Sequence, residues 1–186
     1  MAQDRSLPLD LTTGAIAGAV ATAALSTVTS TFYERENLQA RLQEDWAHGG
    51  KTAYEVAAEK VAGLAGAELT RDQEANLGTA LHYGIGVGSG AVYGAVRRHI
   101  PGPAVVRGLG FGAALWLIAD EGATPALGLS RGPRAFPWQT HARGLAAHLV
   151  FGLVAEGVLS LADRLLSQTP KSHEPEVRSV EAELMA

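Results

Sequence analysis

The sequence predicts an all-α fold: a four-helix transmembrane bundle with an additional amphipathic surface helix. Alanine (33 residues) and glycine (22) make close to a third of the 186 residues, and aromatic residues are only 6%. Domains rich in β-structure are instead enriched in β-branched and aromatic residues. Charged residues are 18% of the chain, below the roughly 25% of a soluble domain. They are clustered, and the gaps between the clusters have the length of membrane-spanning helices.

Composition also narrows the function classes. The chain has no cysteine, which excludes a disulfide scaffold, thiol catalysis and cysteine-ligated zinc. The sequence pI of about 5.8 argues against a strongly basic nucleic-acid binder. No segment resembles a nucleophile elbow or a catalytic triad, and the run GIGVGSG at 84–90 lacks the preceding strand of a nucleotide-binding loop. We therefore expect no enzymatic activity, no cofactor and no nucleic-acid partner.

Missing charges define the four predicted membrane helices. The first contains 23 consecutive residues without Asp, Glu, Lys or Arg, and the second contains 21, with His82 as its titratable group. Both stretches are long enough to span a membrane, because about 20 helical residues cross its hydrocarbon core. The third reaches this length only with Asp120 and Glu121 inside the membrane or at its edge. The predicted helices span about residues 11–33, 76–97, 104–123 and 139–166.

The other segments are predicted to lie outside the bilayer. Residues 1–10 form a short polar leader. Residues 51–66 have apolar side chains at helical spacing on one face, which predicts an amphipathic helix on the membrane or against the bundle. Residues 167–186 contain two prolines and alternating charges, which predicts a disordered tail. Residues 11–166 then form a single helical membrane domain.

Rows of residues four positions apart, most of them small or polar, run along each predicted helix. In lipid such rows let two helix backbones approach closely, whereas a glycine in a soluble helix costs about 1 kcal/mol relative to alanine. We therefore expect these rows to mark helix–helix packing, within one chain or between copies of it. The glycines concerned are Gly14, Gly18, Gly86, Gly90, Gly94, Gly108, Gly112, Gly144 and Gly152.

Four titratable side chains, His82, Asp120, Glu121 and His148, fall at one depth when the helices alternate in direction. Ionisable groups inside a membrane are rare and are candidate functional residues. One interpretation is a structural clamp in which the two histidines donate hydrogen bonds to the two carboxylates. A second is a proton- or ion-linked pathway. A third is a metal or haem site, although the spacing lacks the paired i, i+3 or i, i+4 ligands of strong metal motifs.

Glu156 is a separate intramembrane carboxylate near the opposite face. The same alternation of helices places Arg107 and Tyr93 on its side of the membrane. An unpaired charge in hydrocarbon costs several kcal/mol. We therefore expect Glu156 to form a buried pair with Arg107 or Tyr93.

Three sequence blocks carry a family resemblance: HYGIGVGSGAVYG at 82–94, GFGAALWLIADEGATPALGLS at 110–130 and HLVFGLVAE at 148–156. Together they resemble the YagU-like family of small bacterial inner-membrane proteins, a domain of unknown function. The resemblance covers roughly residues 12–166. It implies a bacterial inner-membrane protein with a few helices, and it implies no activity. The residues that carry most weight are His82, Asp120, Glu121, Pro125, Gly128 and His148.

The functional hypothesis from the sequence is a non-enzymatic, multi-pass protein of the bacterial inner (cytoplasmic) membrane whose helices pack tightly. Its partners are then the lipid bilayer and either a second copy of the chain or another membrane protein. The alternative is a small proton- or ion-linked transport protein that uses the His/carboxylate cluster. A further alternative is a metal- or haem-binding membrane protein.

Overall fold

The computed structural model describes residues 6–168, which contain helices and no strand. The all-α prediction is therefore confirmed for this part of the chain. The predicted tail, apart from Ser167 and Gln168, and the first five residues of the predicted leader lie outside the described residues. The helices are α1 (Leu7–Arg35), α2 (Leu38–His48), α3 (Ala53–Leu64), α4 (Arg71–Val96), α5 (Ala104–Trp116), α6 (Thr124–Ala126) and α7 (Trp138–Gln168), with 3₁₀ turns at Arg97–His99 and Pro133–Ala135.

Local sequence signals explain where several helices begin. α1 begins at Leu7, inside the predicted polar leader, with a proline in its first turn, where the missing proline N–H costs nothing. α3 and α4 each begin with a complete capping box, formed by Thr52 with Glu55 and by Thr70 with Gln73. Such boxes satisfy two backbone donors that the first helical turn leaves free.

The sequence interpretation did not include helix α2. The side chain of Asn37 accepts a hydrogen bond from the backbone N–H of Ala40, and Gly49 ends the helix in the left-handed region at φ 65°. Both are standard terminal signals of a helix. These signals were missed because α2 is an amphipathic, charged helix between the first two predicted membrane helices. The sequence analysis looked for long segments without charge.

The third predicted helix is not a regular α-helix. α5 changes to a π-helix at Leu117–Ala123 and continues into α6, so that 23 consecutive residues are helical. The Thr124 hydroxyl donates to the Ala119 carbonyl over 2.8 Å and so satisfies an acceptor in the wider π turn. π-Segments inside α-helices occur frequently at functional sites. This one contains Asp120 and Glu121.

The long helices pack around one core. α1 lies between α4 and α7, α5 packs on α7, and α3 packs on α4. Tyr93 and Phe111 stack with their ring centroids 4.2 Å apart, and Phe111 lies 6.2 Å from Phe151. The core is formed by Ala17, Ala21, Leu25, Tyr93, Ala147, Phe151, Ala155 and Leu159.

All nine predicted packing glycines lie at contacts within the chain. A Cβ atom on Gly14, Gly18 or Gly94 would meet the backbone of the facing helix at less than 3.0 Å, in the α1–α4 contact. The same holds for Gly108 against Gly152 in the α5–α7 contact. The prediction of packing rows left the choice between one chain and two copies open. In the structure these glycine rows form contacts between helices of the same chain.

Two of the described helices, α1 and α7, are long and apolar enough to cross a membrane. The sequence predicts four such helices, so the structural criterion supports this count only in part. α5 has only 13 residues before the π-segment and is too short for the criterion. In α4, the many glycines together with His82 and two tyrosines keep the mean hydropathy low. Large apolar side chains are nevertheless exposed on all four long helical segments, as at Val20, Ile85, Leu117 and Leu153.

Candidate binding cavity

A cavity of about 320 Å³ lies at the end of the bundle where α1 ends and α7 begins. Its wall brings together all four residues of the predicted intramembrane cluster. Helices α2 and α3 contribute further residues, so the cavity is covered by the segment between the first two long helices. Side chains that line it include Glu44, His48, Tyr54, His82, Trp116, Asp120, Glu121, Phe136, Thr140, His141, Arg143 and His148.

The π-helix places two consecutive carboxylates in the same wall. Asp120 and Glu121 both line the cavity, and Asp120 remains 36% exposed while Glu121 is largely buried. Glycine at position 144 keeps this wall open, since a Cβ there would come within 3.1 Å of Trp116 Nε1 and 3.4 Å of Asp120 Oδ2. Gly144 therefore belongs to the cavity as well as to the packing row.

The histidines do not form the predicted clamp. His82 Nε2 lies 3.1 Å from the Ser26 hydroxyl and not from a carboxylate. His148 Nδ1 donates to the Gly144 carbonyl over 2.9 Å and lies 3.6 Å from Asp120 Oδ2. Of the two predicted clamp histidines, His148 thus approaches a carboxylate and His82 does not.

Glu121 has a partner that the sequence did not predict. His141 Nδ1 lies 2.6 Å from Glu121 Oε1, and His141 Nε2 lies 3.0 Å from the Pro133 carbonyl oxygen. The carbonyl can only accept, so Nε2 carries a proton. A histidine 20 residues downstream of an acidic pair is a weak sequence signal, because only the loop 127–137 determines whether the two side chains meet.

Arg143 of α7 forms ion pairs that hold α2 over the cavity. Its guanidinium donates to Glu36 and, over 2.5 Å, to Glu44 Oε1, and the Thr140 hydroxyl donates to Glu44 Oε2 over 2.6 Å. Arg143 and Glu44 are both only 6% exposed. The sequence interpretation missed this ion pair. The available signal was a single arginine directly before a charge-poor helix, with an acidic segment elsewhere on the same predicted side.

The carboxyl of Glu44 is strongly acidic in the folded protein. Burial on its own raises its pKa, but the hydrogen bonds with His48, Arg143 and Thr140 outweigh that effect and hold the pKa at about 2, against an ordinary value of 4.5. The neighbouring Tyr54 hydroxyl shows the opposite case. Burial and the charge of Asp120 raise the pKa of Tyr54 to about 12, so this residue is a neutral phenol at physiological pH.

The ion pair of Glu44 predicts a pH-dependent contribution to stability. Because its pKa is lowered on folding, the contribution is complete above pH 4.5 and is lost as the pH falls towards about 2. The shift corresponds to about 3 kcal/mol. We expect the stability difference between the wild type and Glu44→Gln in detergent to shrink by about this amount across that window. The control is Glu68→Gln, an exposed carboxylate. A difference that is the same at pH 6 and at pH 2.5 would contradict the prediction.

At the opposite end of the bundle, Glu156 forms the predicted buried pair and has more partners than predicted. Tyr93 Oη donates to Glu156 Oε2 over 2.6 Å, and Arg107 Nη2 donates to Oε1 over 2.9 Å. Both expected partners therefore contact Glu156. A third partner, Arg97, donates to Oε1 over 3.0 Å. The sequence prediction did not include Arg97, which is the last residue of the predicted second helix.

Among residues 6–168, no three His, Asp or Glu side chains are grouped closely enough to hold a metal ion. The metal alternative therefore has no geometric support in the described part of the chain. No family model, curated protein or solved structure matches the chain.

Proposed function

We propose that the protein is a non-enzymatic integral membrane protein whose four-helix bundle binds a small ligand in the cavity at one membrane face. Four spans are proposed: α1, α4, the continuous segment α5–α6, and α7. The observation that supports a binding role is the cavity itself, because titratable groups from four separate segments line one space of about 320 Å³. Ligand sites of small molecules begin near this size and combine apolar walls with a few polar groups.

The exposed surface supports the proposed membrane location. Val20, Ile85, Leu117 and Leu153 lie near the middle of the four proposed spans, and each is between 39% and 59% exposed. The segment α5–α6 has 23 helical residues, or about 35 Å at 1.5 Å per residue, which matches a hydrocarbon core of about 30 Å. The resemblance to the YagU-like family agrees with a multi-pass protein of the bacterial inner membrane.

Cysteine labelling tests the membrane location directly, because the chain has no native cysteine. We expect Val20→Cys, Ile85→Cys, Leu117→Cys and Leu153→Cys, made one at a time, to be unreactive towards a charged thiol reagent in intact membranes. All four should react after denaturation in SDS, since lipid no longer shields them. Glu68→Cys, on an exposed connection, is the positive control.

The same reagent tests the cavity. Ser130 lines it, so we expect Ser130→Cys to react in vesicles of one orientation and not in vesicles of the other. Reaction of the four mid-span cysteines in native membranes would overturn the proposed location. Failure of Ser130→Cys to react from either side would overturn a water-accessible cavity.

Proton- or ion-linked transport is the second candidate. The observation that favours it is that polar clusters lie at both ends of the bundle, at His148 and Glu156 on the same helix. The core rings of Tyr93, Phe111 and Phe151 pack together in the bundle, so we place ligand binding first. The two roles differ in proteoliposomes: transport predicts a pH-dependent flux that His148→Gln abolishes without loss of stability, whereas binding alone predicts no flux.

A further inference from the structure

The Glu121 carboxylate already has a partner. His141 Nδ1 lies 2.6 Å from Glu121 Oε1, and His141 Nε2 donates to the Pro133 carbonyl over 3.0 Å. The Glu121 side chain is only 18% exposed. This pair therefore contributes hydrogen-bonding groups to the cavity wall, and its carboxylate is less available to a ligand than that of Asp120.

Asp120 has no lysine or arginine partner among the described residues, whereas Glu44 is paired with Arg143 at 2.5 Å. The ion-pair partner of Asp120 is His148. Its Nδ1 is directed to the Gly144 carbonyl over 2.9 Å, and Asp120 Oδ2 is more distant at 3.6 Å. Asp120 therefore offers the cavity a partly exposed carboxylate whose partner is engaged mainly with another acceptor.

Aromatic rings line the same cavity as Asp120. Trp116 lies one helical turn before Asp120, and Tyr54 and Phe136 line the same cavity. Histidines hold two of these rings edge-on: the Tyr54 and His82 centroids are 4.7 Å apart, and those of His48 and Phe136 are 5.0 Å apart. Aromatic faces attract cations and repel anions. The rings are thus fixed before any ligand arrives, which lowers the entropic cost of binding.

We propose that the cavity binds one ammonium group at Asp120, with aromatic rings against its hydrocarbon part. The inference rests on the proposed binding function and specifies its ligand class. His82 adds an acceptor: its Nδ1 is buried without a hydrogen-bond partner in the described chain, and it is a lone-pair acceptor when Nε2–H donates to Ser26. The ammonium group comes either from a free amine or from the ethanolamine headgroup of a lipid.

Three probes of one shape and different charge test the ligand class. Benzylamine is a cation at neutral pH, benzyl alcohol is neutral and benzoate is an anion. We expect isothermal titration of the detergent-purified protein to show saturable binding of benzylamine, with at least tenfold weaker binding of the other two. Tighter binding of benzoate or benzyl alcohol would overturn the ammonium assignment while leaving a ligand-binding cavity in place. Absence of benzylamine binding would overturn the inference, even where Ser130→Cys shows an accessible cavity.

Two variants test the residues. Asp120→Asn is isosteric and should weaken benzylamine binding about tenfold or more, because it removes the charged acceptor. Trp116→Leu should weaken it about threefold, through the lost cation–π contact. Glu68→Gln, a carboxylate outside the cavity, should leave the affinity unchanged. Wild-type affinity in both cavity variants, with their thermal melting retained, would overturn the proposed site.

A competition experiment distinguishes the two sources of the ammonium group. Phosphatidylethanolamine and phosphatidylglycerol with identical acyl chains are added to the protein–benzylamine complex. Displacement by phosphatidylethanolamine alone supports the site with a lipid headgroup as its occupant. Displacement by neither lipid supports the site with a free amine as its occupant. Displacement by phosphatidylglycerol alone contradicts the proposal, because that headgroup has no ammonium group.

Discussion

Glu156→Ala is expected to lower the free energy of unfolding of the detergent-solubilised protein by about 3–5 kcal/mol. Glu156 is 3% exposed, and its two oxygens accept hydrogen bonds from Tyr93, Arg97 and Arg107. Arg97 is equally buried, at 3%. Removal of the carboxylate takes their shared acceptor from a buried phenol and two guanidinium groups. Arg97 keeps its ion pair with Asp163 and its bond to the Leu159 carbonyl. The loss is large because the Tyr93 hydroxyl loses its acceptor in the core and both arginines lose a buried charged partner.

Two further variants distinguish a charge effect from a packing effect. Glu156→Gln retains the shape and one acceptor oxygen, so we expect an intermediate loss that reflects the missing charge. Glu68→Ala removes an exposed carboxylate and should change the unfolding free energy by less than about 0.5 kcal/mol. Chemical denaturation followed by circular dichroism measures all three. A Glu156→Ala variant as stable as Glu68→Ala would show that the cluster does not hold this end of the bundle together.

The sequence predicted which helix faces make close contacts, because glycine rows mark these faces. A row such as Gly14 and Gly18 lets another helix backbone approach closely. It did not identify the partner helix, and the α1–α4 and α5–α7 pairings became visible only in the structure. The row could not show whether the facing helix belongs to the same chain. Whether the facing helix belongs to the same chain depends on the lengths of the loops and on which other helix faces could pack against the row. The row itself contains neither piece of information.

The sequence predicted that four of the cavity residues lie at one depth, but it did not predict their hydrogen bonds. Helix alternation and depth were enough to bring His82, Asp120 and His148 to one end of the bundle. The depth of a residue in the bundle does not determine the direction in which its side chain points around the helix axis. The π-helix changes that direction for Asp120 and Glu121 relative to a regular α-helix. This is why the expected clamp does not form and Glu121 meets His141 instead. A π-segment has no clear sequence signature, so its effect became visible only in the structure.

Two amphipathic helices, α2 and α3, cover the cavity, and the sequence predicted only one of them. The helix predicted over 51–66 corresponds to α3 (Ala53–Leu64). Its neighbour α2 was missed, although it carries Glu44 and its ion pair with Arg143. A search for missing charges detects segments that avoid water, and α2 meets water on one side. Charged helices that cover a membrane protein are therefore the class of element that such a search overlooks.

Alanine at either of two packing glycines, Gly90 and Gly152, is expected to lower the free energy of unfolding strongly. A Cβ on Gly90 would meet the backbone of Gly14 and Gly18, and a Cβ on Gly152 would meet the backbone of Gly108 and Gly112, all below 3.0 Å. Backbone atoms cannot rotate away, so the helices must separate. Overpacking typically costs 1–3 kcal/mol, and we expect about 2–3 kcal/mol for each single variant. The double variant should lose about 4–6 kcal/mol, because the two sites lie in different helix contacts.

Neighbouring glycines in the same helices are the matched controls for this loss. A Cβ on Gly88 in α4 or on Gly157 in α7 meets nothing within 4 Å, so Gly88→Ala and Gly157→Ala should be neutral or should stabilise by up to about 1 kcal/mol through helix propensity. The comparison of Gly90→Ala with Gly88→Ala holds the helix and the chemical change constant, and only the facing backbone differs. Thermal unfolding in detergent measures the difference. Equal melting temperatures for the two variants would mean that α1 and α4 do not pack along the glycine row, since in that case the added methyl group displaces nothing.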